Sequence, residues 1–404
     1  MTSTPWAVKR RREVKQSWWS DVEIPVAAVA FFMTAAMAAP IPGYVMPTSQ
    51  VAVIVLCLIG FSRPPARELG PYAVLIGVAI LLAGYLAFVS LSYGVPADDW
   101  IRRMIRLGAN VALVFFIASG RLPMKSMLTG ASIGLVLNMP AFALGLTPDR
   151  YGGYLTGWLG DKNLAGLWYA AVGLLFLTQI ALPRNRALWI VFISGALWWT
   201  GSRTSMTAFA VGVLWVSFSG RLPILMRWVA VAGSAWAVSF LEENYAQAGA
   251  FADRVGSDDL RARIDAATQA KIDGTGFFGQ GLGQAFVHLA DLNWFFHNSY
   301  WTLRVEGGWP YLVVVAGLTA ALGLRLFRGS PGWQVRVVEA ATLALLLCAT
   351  RLGEVFATTS WALVVGYAVK LRLKDYRASD RSDPKLPDAW ARIYAKSSPP
   401  RRVT

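Results

Sequence analysis

Two histidines, His288 and His297, and a set of arginines define what chemistry this 404-residue chain could do. His297 stands in Phe296-His297-Asn298-Ser299-Tyr300, and Arg203 in Thr200-Gly201-Ser202-Arg203-Thr204-Ser205. Histidine is the side chain that changes protonation near neutrality without a special environment, so it suits acid–base work. Arginine carries a permanent charge on a planar fork of donors that matches phosphate oxygens. If His297 opens a helix, Tyr300, Trp301 and Arg304 follow it at i+3, i+4 and i+7 on one face, with Arg304 about 10 Å deeper at 1.5 Å per residue. That arrangement puts a base at a mouth and a cation beneath it. Arg102 and Arg106, spaced i and i+4, also share a helix face. Arg351 ends an uncharged run three residues before Glu354. An arginine so placed must find a partner, snorkel or line a polar cavity. His288, in Val287-His288-Leu289, reads as structural or, at most, substrate-adjacent.

Other chemistries lack their residues. No carboxylate pair resembles that of a glycosidase, no Asp-x-Asp suggests a nucleotide sugar, and no ligand cluster suggests a metal, so no cofactor is expected. The run Gly279-Gln280-Gly281-Leu282-Gly283 has no strand–turn–helix context and is not a nucleotide fingerprint. Its glycines supply backbone freedom for a tight return of the chain, with backbone N–H donation to a phosphate as the alternative. Cys57 and Cys348 each lie in an apolar block and read as small buried thiols.

The elements that would carry these groups are strongly apolar. Hydrophobic residues make up 55% of the chain and charged residues only 15%, against about a quarter charged in soluble domains. Mean hydropathy is +0.46. The net charge of +15 comes from residues between and beside apolar blocks, which fits membrane topology and not a nucleic-acid patch. The blocks are expected to form an all-α polytopic membrane protein with about twelve transmembrane helices, although several are shorter than the roughly 20 residues a span needs. Residues 1–20 are a basic cytoplasmic head. Residues 21–240 hold roughly the first nine spans, 241–297 one large outer (periplasmic) loop and 298–371 the remaining spans. Residues 372–404 are a disordered cytoplasmic tail rich in Pro, Ser and Asp. Lys and Arg concentrate on the side of both termini. Arg102, Arg103, Arg106, Arg150, Lys162, Arg203, Arg254, Arg261, Arg263, Lys271, Arg304 and Arg351 fall on the other side. Their gathering on one face suggests an anionic ligand.

Three ordered stretches carry a family resemblance. They are Gly157-Trp158-Leu159-Gly160-Asp161-Lys162-Asn163-Leu164-Ala165-Gly166, the Ser202-Arg203-Thr204 turn, and the segment Asp253–Pro310 with its His-Asn-Ser-Tyr and Glu306-Gly307-Gly308-Trp309-Pro310 motifs. The set resembles the O-antigen ligase and Wzy-type polysaccharide polymerase superfamily, closest to its exopolysaccharide-polymerase branch, over roughly residues 150–310. The resemblance implies a GT-C-like, metal-independent glycosyltransferase of the bacterial inner membrane, with both termini cytoplasmic. Its donor would be an undecaprenyl-pyrophosphate-linked glycan, its acceptor a glycan or lipid-linked chain, and its partners the lipid bilayer and a chain-length regulator. The family alternative is a ligase acting on lipid A core, and a transporter is the rival from another class. By resemblance His297 is the catalytic residue, and Arg203, Arg261, Arg263 and Arg254 bind pyrophosphate. Where the family shows tryptophan four residues after the loop arginine, this chain has Asp265. Lys162, Asn163, Asn298, Tyr300, Arg304, Arg102, Arg106 and Arg351 are the further candidates for the substrate cavity, which Arg203 should share with His297 and at least one loop arginine.

Overall fold

The computed structural model describes residues 21–38, 46–244, 255–289, 291–327 and 332–382. Their helices are α1 (Ile24–Phe32), α2 (Thr48–Ser62), α3 (Val74–Ser92), α4 (Ala97–Ala118), α5 (Met124–Ala143), α6 (Lys162–Phe176), α7 (Pro183–Thr200), α8 (Arg203–Phe218), α9 (Ile224–Asn244), α10 (Val255–Asp273), α11 (Ser299–Gly323), α12 (Trp333–Cys348) and α13 (Thr359–Ser382). Strands β1 (Phe286–Leu289) and β2 (Leu292–Phe295) pair antiparallel between α10 and α11, with Phe286 opposite Phe295.

Proline marks many of the starts. It precedes α2, α4 and α5 and lies in the first turn of α1 and α7, where a missing N–H costs no helix bond. Short links join α3 to α4 and α7 to α8, and each of these pairs packs together. The centre is α6, buried on every side from Ala165 to Leu175, with α5, α7, α8, α12 and α13 around it. A helix apolar all round belongs inside. At the periphery α3 keeps Val74, Ile80, Leu81 and Phe88 exposed.

The expected set of about twelve spans is not what these helices provide. Among the described residues, 3 helices are long and apolar enough to cross a membrane: Gly70–Ser92, Met124–Ala143 and Ser299–Gly323. The reason is length and charge. α1 has 9 residues, α2 and α6 have 15, and α8 and α12 have 16, all below the roughly 20 a span requires. α4 is long enough but carries Asp98, Asp99, Arg102, Arg103 and Arg106 in its first half. Counting blocks by the alternation of their loops therefore overcounted spans.

The expected outer loop, 241–297, is folded where it is described. α9 runs to Asn244 and α10 follows, and the hairpin packs on α10 through Ile264, Ala285, Val287 and Phe296. The expected tail from residue 372 begins inside α13, which continues to Ser382. The head, 1–20, and residues 383–404 lie outside the described residues. Arg227, on α9, is buried. Its Nη2 pairs with Glu339 at 2.7 Å, both side chains almost fully enclosed.

Candidate functional site

Three helices begin at one end of the bundle, and their first residues are the candidates. Asp161 caps α6, its Oδ1 accepting from Asn163 N at 2.8 Å and Leu164 N at 2.9 Å. Lys162 then opens α6, with Nζ 5.5 Å from the Tyr151 ring centre and 5.4 Å from that of Tyr154. The Tyr151 hydroxyl donates to Asp161 Oδ2. Burial, that bond and the Asp161 charge push the Tyr151 hydroxyl up to about 12. Asn298 caps α11, accepting from Tyr300 N at 2.9 Å and Trp301 N at 3.2 Å. Ser202 precedes Arg203 at the start of α8 and does not cap it. The Ser202 hydroxyl donates sideways to Ser205 Oγ at 2.9 Å.

Close packing brings these starts to the exit of α12. A β-carbon on Gly166 would lie 2.6 Å from Ser205 Oγ and 2.8 Å from Ser202 Cβ, so α6 meets the first turn of α8 there. Ser205 Oγ is 3.9 Å from Cys348 Sγ at the end of α12. Ser299 N donates to Ala349 O at 2.8 Å. The turn after α12 then wraps the start of α11. Ser299 Oγ donates to Leu352 O and accepts from Val355 N, and Thr302 Oγ1 donates to Gly353 O at 3.0 Å. A β-carbon on Gly353 would overlap the Phe296 carbonyl and stand 3.9 Å from His297 Cα. Lys162, Asn163, Arg203, His297 and Arg351 thus lie at one end of the bundle, each half-buried. Asn298 and Tyr300 are there too, in framework roles. Tyr300 donates its hydroxyl to Leu346 O at 2.9 Å and sets its ring against Phe356.

Other candidates are engaged elsewhere. Arg304, expected beneath His297 as a phosphate cation, donates to Gly276 O and Thr275 O, both at 2.8 Å, and lies over the Trp309 ring. Arg106 pairs with Glu354 at 2.8 Å. Arg102 is exposed on α4, and Arg263 is exposed on α10. Arg261 lies on α10 with its side chain outside the description, and Arg254 lies outside the described residues. His288 is exposed in the hairpin, its ring edge-on to Phe286.

The glycine run has a different use from phosphate binding. α11 breaks at Gly307 and Gly308, whose φ values are −135° and +67°. Pro310 has no N–H to give Glu306 O, the carbonyl one helical turn back. Gly281 N supplies that bond at 3.0 Å, and Gln280 N supplies Val305 O at 2.7 Å. Trp309 N donates back to Phe277 O. Leu282 N goes to Ser90 Oγ and Gly283 N to Glu306 Oε1. The N–H groups that could have cradled an anion are therefore taken: two by carbonyls left open by the break, one by the Ser90 hydroxyl and one by the Glu306 carboxylate. Tyr85 seals the joint, its single hydroxyl proton shared between Phe278 O and Gly307 O.

A charge cluster that sequence reading missed stands beside this joint. Arg103 Nε lies 2.7 Å from Glu306 Oε1, and its Nη1 is paired with Glu354. Burial works against the Arg103 cation, and Glu306 and Glu354 outweigh it, raising its pKa above the ordinary value. For Glu354, burial raises the carboxyl and Arg103 with Arg106 more than reverses this, leaving it at about 2. One signal was present in the sequence. Glu306 interrupts an apolar block, and a carboxylate there demands a cation. Among the described residues, no group of three or more His, Cys, Asp or Glu could hold a metal.

No protein-family model matches the chain, and no curated protein matches it. The family resemblance is overturned by the count, among the described residues, of 3 helices able to cross a membrane, where that superfamily's GT-C-like architecture needs many more. With it go the glycosyltransferase assignment, polymerase or ligase, and the undecaprenyl-pyrophosphate-linked donor with its glycan acceptor. The multi-pass partnership with a bilayer, the chain-length regulator, the transporter rival and the inner-membrane topology with both termini cytoplasmic rested on the same spans. They go for the same reason.

Proposed function

We propose that the chain binds a phosphate-class anion at the end of the bundle where α6, α8 and α11 begin. The observation that carries this reading is the meeting of Arg203 at the amino end of α8 with the exit of α12, through Ser205 and Cys348. Helix amino ends carry partial positive charge and suit anions. Of the three starts, α6 and α11 are capped by side chains of their own, and α8 has no side-chain cap. Arg203 adds a fork of donors at that uncapped end, with Lys162 and Arg351 on the neighbouring elements. His297, beside Gly353, supplies the group whose charge can change near neutral pH.

The test is calorimetric titration of the purified full-length chain with inorganic pyrophosphate. We expect Arg203→Ala to lose roughly tenfold or more in affinity, the size of a lost hydrogen bond to a charged group. Arg203→Lys should fall between, keeping the charge without the fork. Equal affinity in wild type and Arg203→Ala would remove the site.

A further inference from the structure

We propose that Glu354 is a positioning residue for this anion site, setting the Arg351 turn against His297 from outside the site. The inference rests on the anion-site reading. Residues 349–358 form the turn between α12 and α13. At its near end the turn grips the start of α11 through Ser299 and Thr302, and Gly353 lies flush against Phe296 and His297. At its far end it is held by charge. Glu354 is bound by Arg103 and Arg106, both on α4. Arg103 also holds Glu306, so one guanidinium fixes the turn and the first half of α11 to the same helix. Arg351 lies three residues before the carboxylate on which these cations converge. The route from α4 to the site is therefore short: Arg103 and Arg106, Glu354, the turn, then Arg351 and His297.

Two exposures separate positioning from bulk stability. Glu306 has 1% of its side chain exposed, so its ion pair belongs to the core. Glu354 has 47% exposed against 15% for Arg103, and a pair with one partner this open to solvent contributes less to global stability than an enclosed one. Neutralising Glu354 should therefore untie the turn while leaving the bundle folded.

The chain provides its own internal reference. It has 2 histidines. His297 lies in the site, and His288 is exposed in the hairpin. In full-length protein with nitrogen-15 histidine, at pH 7, Glu354→Gln should displace or broaden the His297 resonance and leave that of His288 unchanged. Pyrophosphate affinity, measured by equilibrium dialysis, should fall about tenfold, the size usual for loss of an outer group that orients a ligand-binding residue. Glu354→Asp, which keeps a carboxylate, should recover part of both effects. If Glu354→Gln does not fold, Arg106→Gln leaves the Arg103–Glu306 pair intact and gives the same two readouts. Wild type that binds pyrophosphate, with an unmoved His297 resonance and unchanged affinity in Glu354→Gln, overturns the inference alone. Wild type that does not bind pyrophosphate removes the site itself.

Discussion

At the scale of single residues, Glu354 links the charge state of the protein to the shape of one turn. Arg103 and Arg106 hold its carboxyl down at about 2 in the folded chain, below the ordinary 4.5. A carboxyl with a depressed folded value stabilises the fold above its unfolded value, and that contribution is lost as pH falls through the folded one. The window here runs from 4.5 down to about 2. We expect wild type to melt higher than Glu354→Gln at pH 6 and the two to converge near pH 2. With the side chain 47% exposed, the gap should be about 1 kcal/mol or less. Thermal melts of both proteins across that range check this, and a gap that persists at pH 2 would assign the difference to packing. The residue types and neighbours of Arg203 and His297 singled them out as candidates. The partners of Arg304 and Arg106 were not, because a sequence shows a cation without showing which carbonyl or carboxylate faces it.

At the scale of elements, the break in α11 and the glycine run are two halves of one joint. The sequence carried both signals separately: Pro310 in an apolar block announces a missing N–H, and glycines announce unusual backbone. That one satisfies the other follows only from the chain path, since the halves lie more than twenty residues apart. Gly308 is the tightest point. Its φ is +67°, and a β-carbon there would overlap the Phe277 carbonyl. We expect Gly308→Ala to destabilise the joint by roughly 1–3 kcal/mol, combining backbone strain with displaced packing. Faster hydrogen exchange at the Gln280 and Gly281 amides, with α6 unaffected, is the expected signature. Unchanged protection at both amides would mean that the loop docks without the break.

At the scale of the whole molecule, composition and block pattern foretold helices, while the number able to span a membrane did not follow from them. A block of 15 apolar residues makes an equally good buried core helix, as α6 shows. Nor does the block pattern reveal that Arg227 folds as a core ion pair. Glu339 is its counter-charge and also accepts from Trp215 Nε1 at 3.1 Å and Arg325 N at 3.1 Å. One carboxylate thus fastens α8, α9 and the link between α11 and α12 to α12 itself. Removing one partner of a buried pair leaves an uncompensated charge and costs about 3–5 kcal/mol, whereas replacing both with apolar groups can be neutral. We therefore expect Arg227→Met and Glu339→Leu each to lower the thermal midpoint strongly. The double variant should recover part of the loss and no more, because the Trp215 and Arg325 donors lose their acceptor in it. A buried donor without a partner costs about 1–3 kcal/mol. Full recovery would show that Glu339 serves Arg227 only, and no recovery would show that its hydrogen bonds, and not its charge, hold the four segments together.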